Sequence, residues 1–256
     1  MTATSPSAAE PSEYAELQIS GLTAGYTSVD VLRDASLVVG AGEVVLLTGH
    51  NGAGKSCLVE TVFGLIAPSS GTITWLGEDI TGLSPRALLK RGIVLVPQGG
   101  GVVKNLTVWE NLQLIAPNLA VDRSKSAKSE ANNAAYAVLD QVPFLAERRN
   151  QIAGSLSGGQ LRLLSIARAL IAQPKLLIID EPFLGLSGTS GDLILDLFDQ
   201  MQQLGDRFSV IVVEQQLFRL TGRIDRYYAM NQGQIIRNGD GEELWSLDTE
   251  ELWSLS

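Results

Sequence analysis

Gly49-His50-Asn51-Gly52-Ala53-Gly54-Lys55-Ser56 is the stretch whose reading decides the fold. It follows an apolar run, Glu43–Thr48, and leads into a helical pattern, Lys55–Phe63. A strand, a glycine-rich loop and a helix in that order match the phosphate-binding pattern G-x-x-x-x-G-K-[ST]. Glycines let successive backbone N–H groups turn toward one point and form a concave anion site. The helix N-terminus adds partial positive charge. In such a loop Lys55 reaches the β- and γ-phosphates of a nucleotide and the Ser56 hydroxyl ligates Mg²⁺. The expected ATP-binding residues are therefore Gly49, His50, Asn51, Gly52, Ala53, Gly54, Lys55, Ser56 and Cys57. His50, the only histidine, occupies a variable position of the loop and reads as a solvated loop residue, not a catalytic one.

Outward from this loop, short β-branched runs alternate with helical patterns, the signature of an α/β fold with a mostly parallel core sheet. The candidate core strands are Glu43–Thr48, Ile93–Val96, Leu176–Ile179 and Ser209–Val213, each a nearly continuous apolar run suited to burial on both faces. Leu17–Val39 reads as hairpin-like strands of a separate antiparallel β subdomain, which Thr72–Trp75 is placed to join. Residues 104–172 carry helical patterns at Val108–Leu114, Ala131–Leu139 and Gln160–Ile171 and predict a helical subdomain inserted in the core. Between the first two, Pro117–Glu130 reads as a polar loop running into a helix. Residues 1–13, rich in Ala, Ser, Pro and Glu, predict a disordered tail, and 14–256 one domain. Near the end Glu242-Glu243-Leu244-Trp245-Ser246-Leu247 recurs as Glu250-Glu251-Leu252-Trp253-Ser254-Leu255. Helical spacing puts Leu244, Leu247, Leu252 and Leu255 on one side, which reads as a terminal helix packing on its own domain or docking a partner.

A second chemical motif is Leu176-Leu177-Ile178-Ile179-Asp180-Glu181, an apolar strand ending in two acids. It sets carboxylates at the C-terminal edge of a buried strand, where α/β sheets bind ligands. Asp180 is placed to hold Mg²⁺, and Glu181 to act as the general base that polarises an attacking water. Alone the pair is weak evidence; the phosphate loop upstream gives it meaning.

Composition limits the alternatives. Of 256 residues 45% are hydrophobic and 18% charged, so a large core can be buried. The net charge of −9 disfavours nucleic acid as a partner. The single cysteine, Cys57, permits no internal disulfide. No apolar run approaches the length of a membrane span, and Met1–Pro6 lacks the pattern of a secretory signal.

Between the two nucleotide motifs stands Leu156-Ser157-Gly158-Gly159-Gln160, followed by a helical run. In order, motifs and spacing, residues 17–240 resemble the ATPase subunits of ABC transporters, whose signature is LSGGQ. The resemblance implies that Leu156, Ser157, Gly158, Gly159 and Gln160 cap the ATP held by a facing subunit, so that two ATPs lie in a head-to-tail pair. Tyr26 looks like the aromatic that stacks on adenine, with an ordinary hairpin aromatic as the bland alternative. Gln98, in Val96-Pro97-Gln98, looks like the glutamine that senses Mg²⁺ and water and links the site to the helical lobe.

Departures from the family pattern narrow the subfamily. The family's histidine after the strand following the acids is replaced by Gln215, in Val213-Glu214-Gln215, which can donate a hydrogen bond to the γ-phosphate but carries no charge. Ser187 stands where the family's loop often has an acid. Together with Leu145-Ala146-Glu147-Arg148-Arg149 and Asn105–Leu112, these features resemble the second ATPase subunit of branched-chain amino acid and urea-type importers. Gly99-Gly100-Gly101 departs from that group, which usually carries basic residues there. The implied partners are a second ATPase subunit (a heterodimer is expected, a homodimer possible), transmembrane permease subunits and, indirectly, a solute-binding protein. The implied location is the cytoplasmic face of the plasma (inner) membrane. The alternatives are an exporter or lipid-extraction ATPase, which usually keeps the switch histidine, and a non-transport ATPase clamp.

Overall fold

The computed structural model describes residues 15–27, 29–114, 125–186, 188–203, 208–247 and 252. The expected tail, Ser187 and the second half of the C-terminal repeat other than Leu252 lie outside them. In chain order the elements are β1 (Ala15–Tyr26), β2 (Val29–Gly40), β3 (Val44–Gly49), α1 (Lys55–Val62), β4 (Pro68–Trp75), β5 (Glu78–Asp79), α2 (Pro85–Leu89), β6 (Ile93–Val96) and α3 (Val108–Gln113). They continue with α4 (Lys125–Gln141), α5 (Pro143–Glu147), α6 (Gly158–Ile171), β7 (Leu176–Asp180), α7 (Gly188–Gln203), β8 (Ser209–Val213), β9 (Arg226–Asn231), β10 (Gln234–Asp240) and α8 (Gly241–Leu244). The chain forms two compact units, residues 1–88 with 208–256, and residues 89–207.

The first unit holds two sheets. In the antiparallel one, β1 pairs with β2 and β4, and β4 with β5. β1 buries Leu17 and Ile19, then Leu22 and Ala24. The inward set switches from odd to even positions across a register shift between Ile19 and Leu22. A period of two demands such a bulge, and Gly21, at φ 59, absorbs it. In the other sheet β3 runs parallel to β8 and β9, while β9 pairs antiparallel with β10. β3 and β8 are buried at every position, as their nearly continuous apolar sequences lead one to expect. β9 and β10 were not legible as strands: β9 mixes Arg226 and Asn231 with apolar residues, and β10 is mostly polar and partly exposed.

The second unit pairs β6 with β7 in parallel, Ile93 opposite Leu176 through Val96 opposite Ile179. Helices α3, α4 and α6 pack on one another. Both α3 and α6 open with a reciprocal capping box, Thr107 with Glu110 and Ser157 with Gln160. The segment before α3 is stapled to the one before α6: Thr107 bridges Ile152, Val108 N–H donates to Gln151 O at 2.9 Å, and Ala153 N–H donates to Leu106 O at 2.8 Å. Fully buried Asn111 satisfies the bend, its Nδ2 donating to Val103 O and Thr107 O at 2.9 Å each.

At the C-terminus one expectation is corrected. The helix stops at Leu244 and Trp245–Leu247 form a turn, so the repeat does not present four leucines on one continuous helical face. Leu244 and Leu252 are buried, and α8 lies against β9 and β10 of its own unit.

Candidate functional site

The phosphate loop lies in the first unit, between β3 and α1. Gly49, Gly52 and Gly54 have φ of 150, 81 and 103. A Cβ on Gly49 would overlap the carbonyl oxygen of Met230, and one on Gly54 would stand 3.2 Å from Leu32 Cδ2 and 3.3 Å from Gly233 Cα. The loop therefore lies close against β9 and the β9–β10 turn at Gly49 and Gly54, while Gly52 faces open space. That turn supports it directly. Gly233 N–H donates to Ala53 O at 2.9 Å, and Gly233 O accepts from Arg33 N–H at 2.9 Å. Sequence reading missed Gly233; the signal was a lone glycine after Asn231-Gln232.

The first helical hydrogen bond of α1 runs from Leu58 N–H to Gly54 O at 3.0 Å. The N–H groups of Lys55, Ser56 and Cys57 thus precede the helical ladder, where anions bind. Lys55 is 5% exposed, and its Nζ donates to Gly49 O at 2.6 Å and His50 O at 3.0 Å. His50, Asn51 and Gly52 are exposed. Cys57 offers its backbone N–H, not its side chain, to the loop. Its thiol is buried, 3.9 Å from Ala24 O, and burial pushes it above its ordinary 9.0, which leaves only the backbone for a phosphate.

Gln215, just past β8, meets this loop. Its Nε2 donates to Gly49 O and to Asn51 Oδ1, both at 3.0 Å. Buried Glu214 holds the turn, its Oε1 accepting from the N–H of Gln215 at 2.8 Å and of Gln216 at 3.0 Å. Tyr26, at the end of β1, is half exposed, and its hydroxyl donates to Glu60 Oε2 on α1 at 2.8 Å.

In the second unit Asp180 ends β7 at 4% exposure and Glu181 follows it. Glu181 has φ 51, an uncommon conformation for a residue with a Cβ and one that collects at functional sites. Gln98, just past β6, donates from Nε2 to Glu181 Oε2 at 2.5 Å. The structure thus joins two residues that the sequence named separately. Leu156 is buried, Ser157 and Gly158 are exposed at the start of α6, and Gly159 is buried. The Ser157 hydroxyl accepts from Gln160 N–H at 3.3 Å, and Gln160 Oε1 accepts from Ser157 N–H at 3.0 Å.

The chain thus carries a glycine-lined loop between β3 and α1, an acid pair at the end of β7 and a capped Ser-Gly-Gly start to α6. The sequence profile of the ABC transporter family matches residues 32–184, more than half the chain. The chain belongs to the ABC transporter family. This ABC subunit is an ATPase. It is 36% identical over 219 residues to the high-affinity branched-chain amino acid transport ATP-binding protein BraG of Pseudomonas aeruginosa, covering 86% of this chain and 90% of the relative. It is 32% identical over 231 residues to the lipopolysaccharide export system ATP-binding protein LptB of Escherichia coli, covering 90% of this chain and 92% of that one. Among solved structures, a nucleotide-free ATP-binding cassette from an ABC transporter superposes with a TM-score of 0.78 at 28% identity, covering 91% of this chain and 94% of the other. The α/β architecture with an antiparallel β subdomain is that of the ABC cassette.

Proposed function

We propose that this ABC subunit powers an importer of branched-chain amino acids, urea or related small solutes. It pairs there with a second ATPase subunit beneath transmembrane permease subunits, on the cytoplasmic face of the membrane, with a solute-binding protein as an indirect partner. The observation that carries this reading is the match, along nearly the whole chain, to branched-chain amino acid transport ATP-binding proteins. No helix among the described residues is long and apolar enough to cross a membrane.

Each residue has a role in this reading. Lys55 exchanges the carbonyls of Gly49 and His50 for β- and γ-phosphate oxygens. The N–H groups opening α1 cradle the phosphates, Tyr26 stacks on adenine, and the Gln215 amide contacts the γ-phosphate. Glu181 takes a proton from the water that attacks the γ-phosphorus, and Gln98 steers its carboxylate. Leu156, Ser157, Gly158, Gly159 and Gln160 cap the ATP of the facing subunit. Ser56, Asp180 and Gln98 would each offer a hard oxygen to Mg²⁺. When bound with ATP, Mg²⁺ neutralises charge on the transferring phosphoryl group.

Glu181→Gln tests the chemistry. The variant keeps binding ATP, loses turnover and accumulates as an ATP-bound dimer on a sizing column; retained turnover would assign the base elsewhere. Uptake of radiolabelled leucine and urea by cells lacking the subunit, complemented with wild type or Glu181→Gln, tests the transport role. A lipid-export defect with normal uptake would favour the reading drawn from the lipopolysaccharide-export relatives.

A further inference from the structure

Three side chains of α6 grip the loop that carries Gln98. Arg162, 9% exposed, donates from Nη1 to Pro97 O at 2.8 Å and from Nη2 to Gln98 O. Ser165 Oγ donates to Gly100 O at 2.7 Å, and Arg168 Nη1 donates to Gly101 O. Positions 162, 165 and 168 follow one another at helical spacing along one face. Every acceptor is a backbone carbonyl, so the grip depends on backbone placement and not on loop side chains. Gly100 and Gly101 adopt φ of 71 and 62, and a Cβ on Gly100 would overlap Ser165 Oγ. Glycine is what lets the loop lie this close to the helix at Gly100, and the positive φ of Gly101 favours glycine there too. From this anchored loop Gln98 reaches Glu181 Oε2 at 2.5 Å.

We propose that Arg162, seconded by Ser165 and Arg168, is a positioning residue for hydrolysis. It fixes the backbone of 97–101 and so sets where the Gln98 amide holds the Glu181 carboxylate; this rests on reading Glu181 as the base. The helix that does this is the one Ser157 caps. Engagement of Ser157, Gly158 and Gly159 by a phosphate and orientation of the base are then coupled through one rigid element. A guanidinium fork suits the task, because it bonds two successive carbonyls at once and a lysine ammonium cannot match that planar geometry. Its removal leaves the Pro97 and Gln98 carbonyls without their charged donor.

The test is a double-mutant cycle on the full chain. Arg162→Ala, Arg162→Lys and Ser165→Ala are each made in the wild-type and Gln98→Ala backgrounds, with turnover measured against Mg-ATP concentration and folding followed by thermal melts. In the wild-type background Arg162→Ala lowers kcat by about 10- to 100-fold, the scale of a misplaced catalytic group, while KM changes by less than about 2-fold. Arg162→Lys falls between, and Ser165→Ala loses least. In the Gln98→Ala background the same substitutions cost less than about 2-fold, because Arg162 acts through Gln98. Equal losses in both backgrounds, or a loss confined to KM, would overturn the proposal. If Arg162→Ala does not fold, Arg162→Lys and Ser165→Ala carry the same cycle. Retained turnover in Glu181→Gln would retire the base assignment, while additivity between Arg162 and Gln98 retires the positioning role alone.

Discussion

Gly233→Ala probes how the phosphate loop is held from the far end of the chain. Gly233 has φ 84, donates to Ala53 O and accepts from Arg33 N–H, both at 2.9 Å. A Cβ there would overlap the carbonyl oxygen of Val31, a backbone atom that cannot rotate aside. Left-handed backbone costs a residue with a Cβ about 1–2 kcal/mol. The turn must also move off both hydrogen-bond partners, at about 1 kcal/mol each, which brings the loss to about 3–4 kcal/mol. Urea unfolding followed by circular dichroism should register that loss. Because Ala53 belongs to the phosphate loop, ATP affinity measured by calorimetry should fall by about tenfold, the equivalent of about 1.4 kcal/mol. The exposed neighbour Gln232, at φ 48, is the control: Gln232→Gly relieves backbone strain and should be neutral or stabilising by up to about 1 kcal/mol. A Gly233→Ala protein within about 0.5 kcal/mol of wild type, with unchanged ATP affinity, would refute the claim that this turn braces the loop.

Lys55→Ala should weaken ATP binding by at least about 100-fold, since a nearly buried cation with charge-assisted bonds is lost; calorimetry with ATP checks it, and unchanged affinity removes the loop from the mechanism. Gln215→His should keep turnover within about 5-fold at pH 8 and add an inflection near about pH 6.5 that the uncharged amide of the wild type does not supply; a pH–rate profile decides. Burial pushes the Glu43 carboxyl up, but its hydrogen bonds with Arg226 and Gly40 outweigh this and hold it below its ordinary 4.5. Its stabilising contribution is therefore present above about pH 4.5 and is lost as pH falls through the lowered folded value. Glu43→Gln should cost about 1 kcal/mol at pH 7 for this half-exposed pair, 3.0 Å from Arg226 Nη2. The difference between the two proteins, measured by urea unfolding, should shrink in acid.

Much of the site was legible because its chemistry is local. The phosphate loop needs glycines, a lysine and a hydroxyl in one short window, and its strand and helix announce themselves by an unbroken apolar run and a helical period. The strand ending in Asp180 and Glu181 and the helix capped by Ser157 are equally local. Which face of α1 the Cys57 side chain takes, against Ala24, is not recorded in its window. β9 and β10 were missed because their partners, not their own residues, make them strands.

From the amino acids alone came the motifs, their order and the α/β class, since these depend on periodicity and on residue types within a few positions of one another. Only the folded chain decided that Gly233 braces the loop at Ala53, that Gln98 meets Glu181, and that Arg162, Ser165 and Arg168 hold the carbonyls of the 97–101 loop. A backbone carbonyl looks the same in every residue. Its partner is chosen by packing between segments distant in the chain, and no local window records that choice.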